Sequence, residues 1–113
     1  MKTANLLKDI EYNEAGPAIK VMFQTDTTKE IRIVFKKEQY MVKHQTPYPI
    51  TVSLVEGTLD FGVDDKVLNL VKGDMLSLNG GVPHDLLATK DCIVRLILSI
   101  SDSVQRVKDV ESS

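Results

Sequence analysis

Two stretches decide the fold: His44–Gly57, which reads HQTPYPITVSLVEG, and Gly73–His84, which reads GDMLSLNGGVPH. In the first, Ile50, Val52 and Leu54 occupy every second position. A period of two predicts a strand that places one face on a core. Glycines stand at the end of the first stretch and near both ends of the second, and they predict tight turns there.

The same alternation extends outward along the chain. Ala18–Gln24 is rich in β-forming residues, and Ile31, Ile33 and Phe35 again occupy every second position. No run within 16–99 has the length and period of a crossover helix, so an antiparallel barrel or sandwich is favoured over a parallel sheet. The intervening turn signals are Glu56-Gly57, Asp64-Asp65, Lys72-Gly73-Asp74 and Asn79-Gly80-Gly81. Gly57 and Asp64-Asp65 are each expected at the tip of a hairpin.

The length of 113 residues predicts one domain over 1–113. Leu6, Leu7 and Ile10 form one apolar stripe, which predicts a short N-terminal helix over about 4–10. The all-β, antiparallel barrel is expected over about 18–100, with about six to eight strands. A polar tail over 101–113 follows it.

Composition excludes several classes of function. A net charge of -2, with 5% aromatic residues and no Trp, argues against a nucleic-acid partner. A single Cys excludes an intramolecular disulfide. Acidic residues precede any long apolar run, and the apolar stretch 92–100 is interrupted by Arg95, so neither a signal peptide nor a membrane span is expected. We predict a cytoplasmic protein.

Together, the two stretches resemble the paired motifs of the cupin superfamily of small double-stranded β-helix barrels. The glycines of those motifs match Gly57, Gly73 and Gly81, and two of their histidines match His44 and His84. The resemblance extends over about 30–100 and implies a jelly-roll barrel. It does not imply one activity, because the superfamily contains enzymes, sugar-binding regulators and storage proteins.

The chain departs from the motifs at two of the four usual metal-ligand positions. The second histidine falls on Thr46 and the glutamate on Ile50. The remaining departures are Glu38, Asn79 and Ala88, which replace a glycine, a proline and an asparagine. We therefore expect at most a weakly bound divalent metal (Zn, Ni, Fe or Mn), held by His44 and His84 alone with water in the other positions.

In a barrel, inward positions repeat every second residue, so His44 and His84 are expected to converge on one cavity near the mouth. Val52 and Leu54 are expected to wall this cavity with other apolar residues. The alternative is a pair of satisfied histidines at the mouth of a cavity that binds nothing. The expected ligand-binding residues are His44, Thr46, Tyr48, Ile50, Met75, His84 and Leu86.

The favoured function is binding of a small molecule in the barrel cavity. The alternative is a metal-dependent enzyme, of the dioxygenase or isomerase class, whose metal shell is completed by water or substrate. A third possibility is a barrel that acts mainly as a dimerisation scaffold. Thr46 and Ile50 disfavour the enzyme, since neither supplies a strong metal ligand.

Four further side chains carry two interpretations each. Cys92 is either a nucleophile or a small buried hydrophobe, and the second is favoured because it begins an apolar strand. Asp85 is expected on the face opposite His84, which disfavours a His–Asp pair. Arg32 and Arg95 either bind a carboxylate through two parallel N–H groups or face water or a neighbouring subunit.

Two expectations concern surfaces. Tyr48, between two prolines, either leans over the cavity and contacts an amphipathic ligand or belongs to a rigid loop that aims the next strand. A short chain has a modest core and an open barrel has free edges, so a homodimer is expected. The segment 6–23 is the expected additional contact, and the resemblance also implies pairing.

Overall fold

The computed structural model describes residues 1–100, and the predicted tail over 101–113 lies outside the described residues. The described chain forms two antiparallel sheets, with orders β1-β2-β9-β4-β7 and β3-β8-β5-β6. The all-β antiparallel prediction is confirmed, and residues 1–100 form nine strands where six to eight were expected. The strands are β1 Ala18–Gln24, β2 Thr28–Phe35, β3 Tyr40–His44, β4 Ile50–Glu56, β5 Thr58–Val63, β6 Lys66–Val71, β7 Met75–Leu78, β8 His84–Ala88 and β9 Cys92–Ser99.

The predicted N-terminal helix is wrong. Residues 4–10 contain a turn at 6–7 and a bend at 8–9, and the side chain of Asn5 accepts a hydrogen bond from the Leu7 amide at 2.8 Å. Asp9 has a φ of 53°, which no right-handed helix accommodates. A helix this short has little stability of its own, so local turns and contacts with Arg32 decide its conformation. Residues 1–100 contain no helix long and apolar enough to cross a membrane.

The core lies between the two sheets, as the alternation predicts. Ile33 and Phe35 of β2 point inward, and Ile50, Val52 and Leu54 of β4 are all at most 3% exposed. The opposite sheet contributes the inward residues of β5 and β8, which are Leu59, Phe61, His84, Leu86 and Ala88. The two sheets thus bury a continuous apolar layer, and the hydrophobic effect on this layer stabilises the fold.

The prediction of a hairpin tip at Gly57 is wrong. This glycine joins β4 and β5, which belong to different sheets, so the chain crosses the core edge here. Its φ of 87° favours glycine, and a Cβ would collide with the backbone of Asp91 and with Cys92. The predicted hairpin at Asp64-Asp65 is present, with φ values of 51° and 59°.

The strand β1 forms one edge of the five-stranded sheet, and among residues 1–100 it pairs only with β2. Its side chains Ile19 and Val21 are 61% and 47% exposed. An edge strand with free backbone groups and apolar side chains is a template for pairing with another chain.

Candidate functional site

The structure brings His44 and His84 together. His44 ends β3, His84 begins β8, and the two are directly paired across the strands. Their ring centroids lie 4.4 Å apart with the planes inclined at 58°. His84 is 4% exposed and stacks on Phe61 of β5, with a centroid separation of 5.5 Å. Three strands therefore hold the imidazole pair in a fixed position.

Backbone carbonyls determine which nitrogen of each ring carries the proton. Nδ1 of His44 lies 2.7 Å from the carbonyl oxygen of Val42, and Nδ1 of His84 lies 2.9 Å from that of Val82. A carbonyl only accepts, so Nδ1 donates in both rings. In the neutral imidazole, Nε2 then carries a free lone pair. No residue within 1–100 hydrogen-bonds to either Nε2, so both are available to an external group.

The environment keeps His84 neutral. Burial lowers its pKa below the ordinary value of 6.5, and the nearby His44 acts in the same direction. The hydrogen bond to Val82 and the charge of Asp85 oppose this change without reversing it. At neutral pH, the His84 Nε2 is therefore an acceptor.

This lowered pKa predicts an acid-sensitive stability. The unfolded chain takes up the His84 proton near pH 6.5 and the folded chain only at lower pH, so acid favours unfolding. We expect the contribution of His84 to the free energy of unfolding to be constant above pH 6.5. As the pH falls from 6.5 to the lowered pKa of His84, the free energy of unfolding should decrease. Denaturant titrations across this range measure the effect. In His84→Leu this part of the pH dependence should be absent, and an unchanged dependence would contradict the assignment.

The cavity beside the imidazoles is small. Its volume is about 20 Å³, which is room for about one water molecule. Apart from the two rings its wall is apolar, so it offers no other strong polar partner. The lining residues are Ile33, Met41, His44, Ile50, Val52, Phe61, His84, Leu86, Val94 and Leu96. The cavity therefore has room for one small chemical group.

The residues expected at the site divide into two groups. Ile50 and Leu86 line the cavity with both histidines. The cavity lining does not include Thr46, Tyr48 or Met75. The Thr46 hydroxyl donates to the carbonyl of Tyr48 within the loop after β3. Met75 is 66% exposed because it lies on the outward face of β7, so it is not a wall of the cavity. Leu54 is buried in the core without lining the cavity.

The sequence did not predict several of the residues that line the cavity. Phe61 is the most important of them, because it carries the ring on which His84 stacks. Its signal was present: Leu59 and Phe61 alternate with polar or small neighbours in β5. Met41 gave no comparable signal, because a register shift interrupts the alternation between Met41 and His44.

A metal centre with three or more protein ligands does not fit the described chain. Residues 1–100 contain no group of three or more His, Cys, Asp or Glu side chains arranged to hold a metal ion. Beside the two imidazoles, the cavity wall presents Ile50, which cannot ligate.

Other chemistry-bearing side chains are engaged elsewhere. Cys92 is 1% exposed, and burial, with a smaller effect of Asp91, raises the pKa of its thiol to about 12, so it is not a nucleophile. The carboxylate of Asp85 accepts a hydrogen bond from the Tyr40 hydroxyl and does not orient His84. Arg95 binds the carboxylate of Glu30 with two bonds of 2.9 Å.

No protein-family model and no curated protein matches the chain. Solved structures do match. An RmlC-like cupin from Desulfovibrio desulfuricans superposes with a TM-score of 0.81 at 22% identity, covering 88% of this chain and 96% of its own. A cupin superfamily protein from Desulfitobacterium hafniense superposes with a TM-score of 0.74 at 17% identity, covering 81% of this chain and 84% of its own. KdgF from Halomonas sp. superposes with a TM-score of 0.73 at 17% identity, covering 92% of this chain and 97% of its own.

These likenesses extend over most of each chain, and they establish the fold. The chain is a small cupin-fold protein, as its two motifs indicated. Identities of this size carry no information about substrate or activity.

Proposed function

We propose that the chain binds a small molecule at the mouth of the barrel, through Nε2 of His44 and Nε2 of His84. The observation that supports this most strongly is the hydrogen-bonding pattern that the two rings share. Each Nδ1 is committed to a carbonyl, and each Nε2 is without a partner among residues 1–100. Two unpaired acceptors of one kind, held by separate strands, form a preorganised recognition pair.

The chemistry of the pair selects the ligand. Neutral imidazoles that present Nε2 are acceptors, so the ligand must supply donors such as hydroxyl or amide N–H groups. The cavity of about 20 Å³ admits only one small group. Its apolar wall favours a methyl or methylene carbon next to the donor. We therefore propose a small alcohol or amide as the ligand class.

Titration of isotope-labelled protein with ethanol, ethylene glycol and acetamide tests this proposal. We expect saturable shifts of the His44 and His84 ring resonances, and their loss in His44→Phe, which keeps an aromatic ring but removes Nε2. Val42→Ala is the matched control, because it keeps the carbonyl that accepts from Nδ1. Shifts that persist in His44→Phe, or no saturable shift with any probe, would overturn the proposal.

A weakly held divalent metal is the second candidate, and one observation favours it. Histidines that ligate metals usually donate the other ring N–H to a carbonyl or carboxylate, and both rings here do so. Elemental analysis combined with native mass spectrometry of freshly purified protein separates the candidates. Substoichiometric metal that a chelator removes agrees with this account. Tight, stoichiometric metal would instead favour the metal-dependent enzyme.

We also propose that the chain forms a homodimer through the open edge of β1. The exposed Val21, which does not line any other site proposed here, would be covered by the same strand of a second copy. Sedimentation at micromolar concentration should give twice the chain mass. Val21→Lys should shift the equilibrium to monomer, because edge lysines oppose strand pairing. A wild-type protein that sediments as a monomer would refute this proposal.

A further inference from the structure

A second site is suggested by Arg32, which lies on β2 and faces away from the barrel cavity. Arg32 is only 4% exposed, and within residues 1–100 its guanidinium hydrogen-bonds only to backbone carbonyls. Nη1 donates to the carbonyls of Leu6 and Lys8 at 3.4 and 2.7 Å, and Nη2 donates to that of Asp9 at 3.2 Å. Within residues 1–100 no carboxylate forms an ion pair with it. It is a buried cation whose hydrogen bonds go to neutral carbonyls and not to a carboxylate.

Arg95 provides the internal comparison. It lies directly opposite Arg32 in the sheet, and its Nε and Nη2 both donate to the carboxylate of Glu30. In Arg32, Nε has no partner among the described residues and Nη2 donates once. No unpartnered side-chain nitrogen within 1–100 is sealed from solvent, so the Arg32 Nε is accessible. The Nε–Nη2 edge of Arg32, which corresponds to the edge that Arg95 uses, therefore retains two donors: Nε–H and the second N–H of Nη2.

This available edge adjoins an open space. A cleft of about 330 Å³ lies between the N-terminal segment and the outer side of β1 and β2, and we call it the Arg32 cleft. Its volume is within the range of about 300–1,000 Å³ typical of small-molecule sites. It shares no lining residue with the His44–His84 mouth. Its lining residues are Asp9, Glu11, Ala18, Ile19, Lys20, Arg32 and Val34.

We propose that the Arg32 cleft binds a small zwitterion, in which a carboxylate and a protonated amine are joined by a short carbon chain. The guanidinium edge of Arg32 matches a planar carboxylate, and Lys20 is its cross-strand neighbour. Asp9 and Glu11 give the same cleft two negative charges, which attract an ammonium group. These carboxylates also repel a simple anion. Val34 supplies an apolar surface for the carbon chain.

Amide chemical-shift titrations with four probes test the proposal: glycine, γ-aminobutyrate, acetate and ethylamine. We expect at least one zwitterion to shift amides of Asp9, Lys20 and Arg32 saturably, and to bind at least about ten-fold more tightly than acetate or ethylamine. Asp9→Asn removes one charge and tolerates the left-handed φ of 53°. It should weaken zwitterion binding and leave acetate binding unchanged or stronger.

Arg32→Lys keeps the charge and removes the parallel donors, so it should weaken zwitterion and acetate binding by about 10- to 100-fold. Arg95→Lys is the matched control and should leave both affinities unchanged, because Glu30 occupies that side chain. Arg32→Lys also removes hydrogen bonds to the carbonyls of the N-terminal segment and can therefore change its conformation. Asp9→Asn and the ranking of probes on the wild-type protein are tests that do not depend on this variant. The proposal is overturned if no zwitterion gives saturable shifts, if acetate binds as tightly as the zwitterions, or if Arg95→Lys weakens binding as much as Arg32→Lys.

Discussion

Phe61→Ala is expected to lower the free energy of unfolding by about 3–5 kcal/mol, a large share of the roughly 5–15 kcal/mol of a typical domain. Phe61 is fully buried between the sheets and stacks on His84. Its removal deletes apolar contacts and leaves a void that rigid strands cannot close. Denaturant unfolding of the purified variant measures the loss.

Leu59→Ala is the matched control for this prediction. Leu59 is equally buried on the same face of β5, but it does not line the cavity. We expect a similar destabilisation of about 2–5 kcal/mol from Leu59→Ala. Only Phe61→Ala should also raise the His84 pKa toward its ordinary value, because water enters beside the imidazole. An equal effect of both variants on the His84 titration would show that Phe61 does not control its environment.

Ile50→Glu is expected to convert the mouth into a strong metal site. Four-ligand structural zinc sites bind with about 10–16 kcal/mol, or roughly 3 kcal/mol per ligand. A third ligand beside His44 and His84 should therefore raise zinc affinity by about 100-fold. Ile50 lines the cavity with both histidines, so a carboxylate there reaches the same space. Zinc titration against a competing chelator measures the gain.

Three comparisons make this result specific. Ile50→Gln has the shape of the carboxylate without its charge and should gain little affinity. The added binding should disappear when His84→Ala is combined with Ile50→Glu. Thr46→His should contribute little, although the motif places a ligand there, because Thr46 lies outside the cavity lining. A larger gain from Thr46→His than from Ile50→Glu would refute the assigned geometry.

The sequence predicted what depends on local periodicity. Alternation placed Ile50, Val52 and Leu86 on inward faces, and the two motif histidines do meet across adjacent strands. The sequence failed where distant segments decide the outcome. Gly57 was predicted at a hairpin tip, but it connects two different sheets. The strand before it, β4, pairs with β7 and β9 and not with β5, and local sequence does not show this.

Arg32 illustrates the same limit. The sequence left open whether Arg32 binds a carboxylate or faces water or a neighbouring subunit, but the N-terminal segment covers this side chain and buries its guanidinium. The same contact replaces the predicted helix over 4–10 by turns, because Arg32 engages carbonyls of Leu6, Lys8 and Asp9. Such long-range contacts leave no trace in the spacing of residues. The size of the barrel cavity was equally beyond prediction, since it depends on how the side chains of both sheets interlock.

The most direct test of the binding account is the protonation state of the two imidazoles at the barrel mouth. Long-range ¹H–¹⁵N correlation spectra, recorded about one pH unit above the ordinary imidazole pKa, distinguish the two neutral forms. We predict that Nδ1 carries the proton in both His44 and His84, and that both Nε2 resonances shift when a small alcohol or amide is added. A proton on Nε2 of either ring, or Nε2 resonances that no probe moves, would contradict the claim that this pair is a binding site.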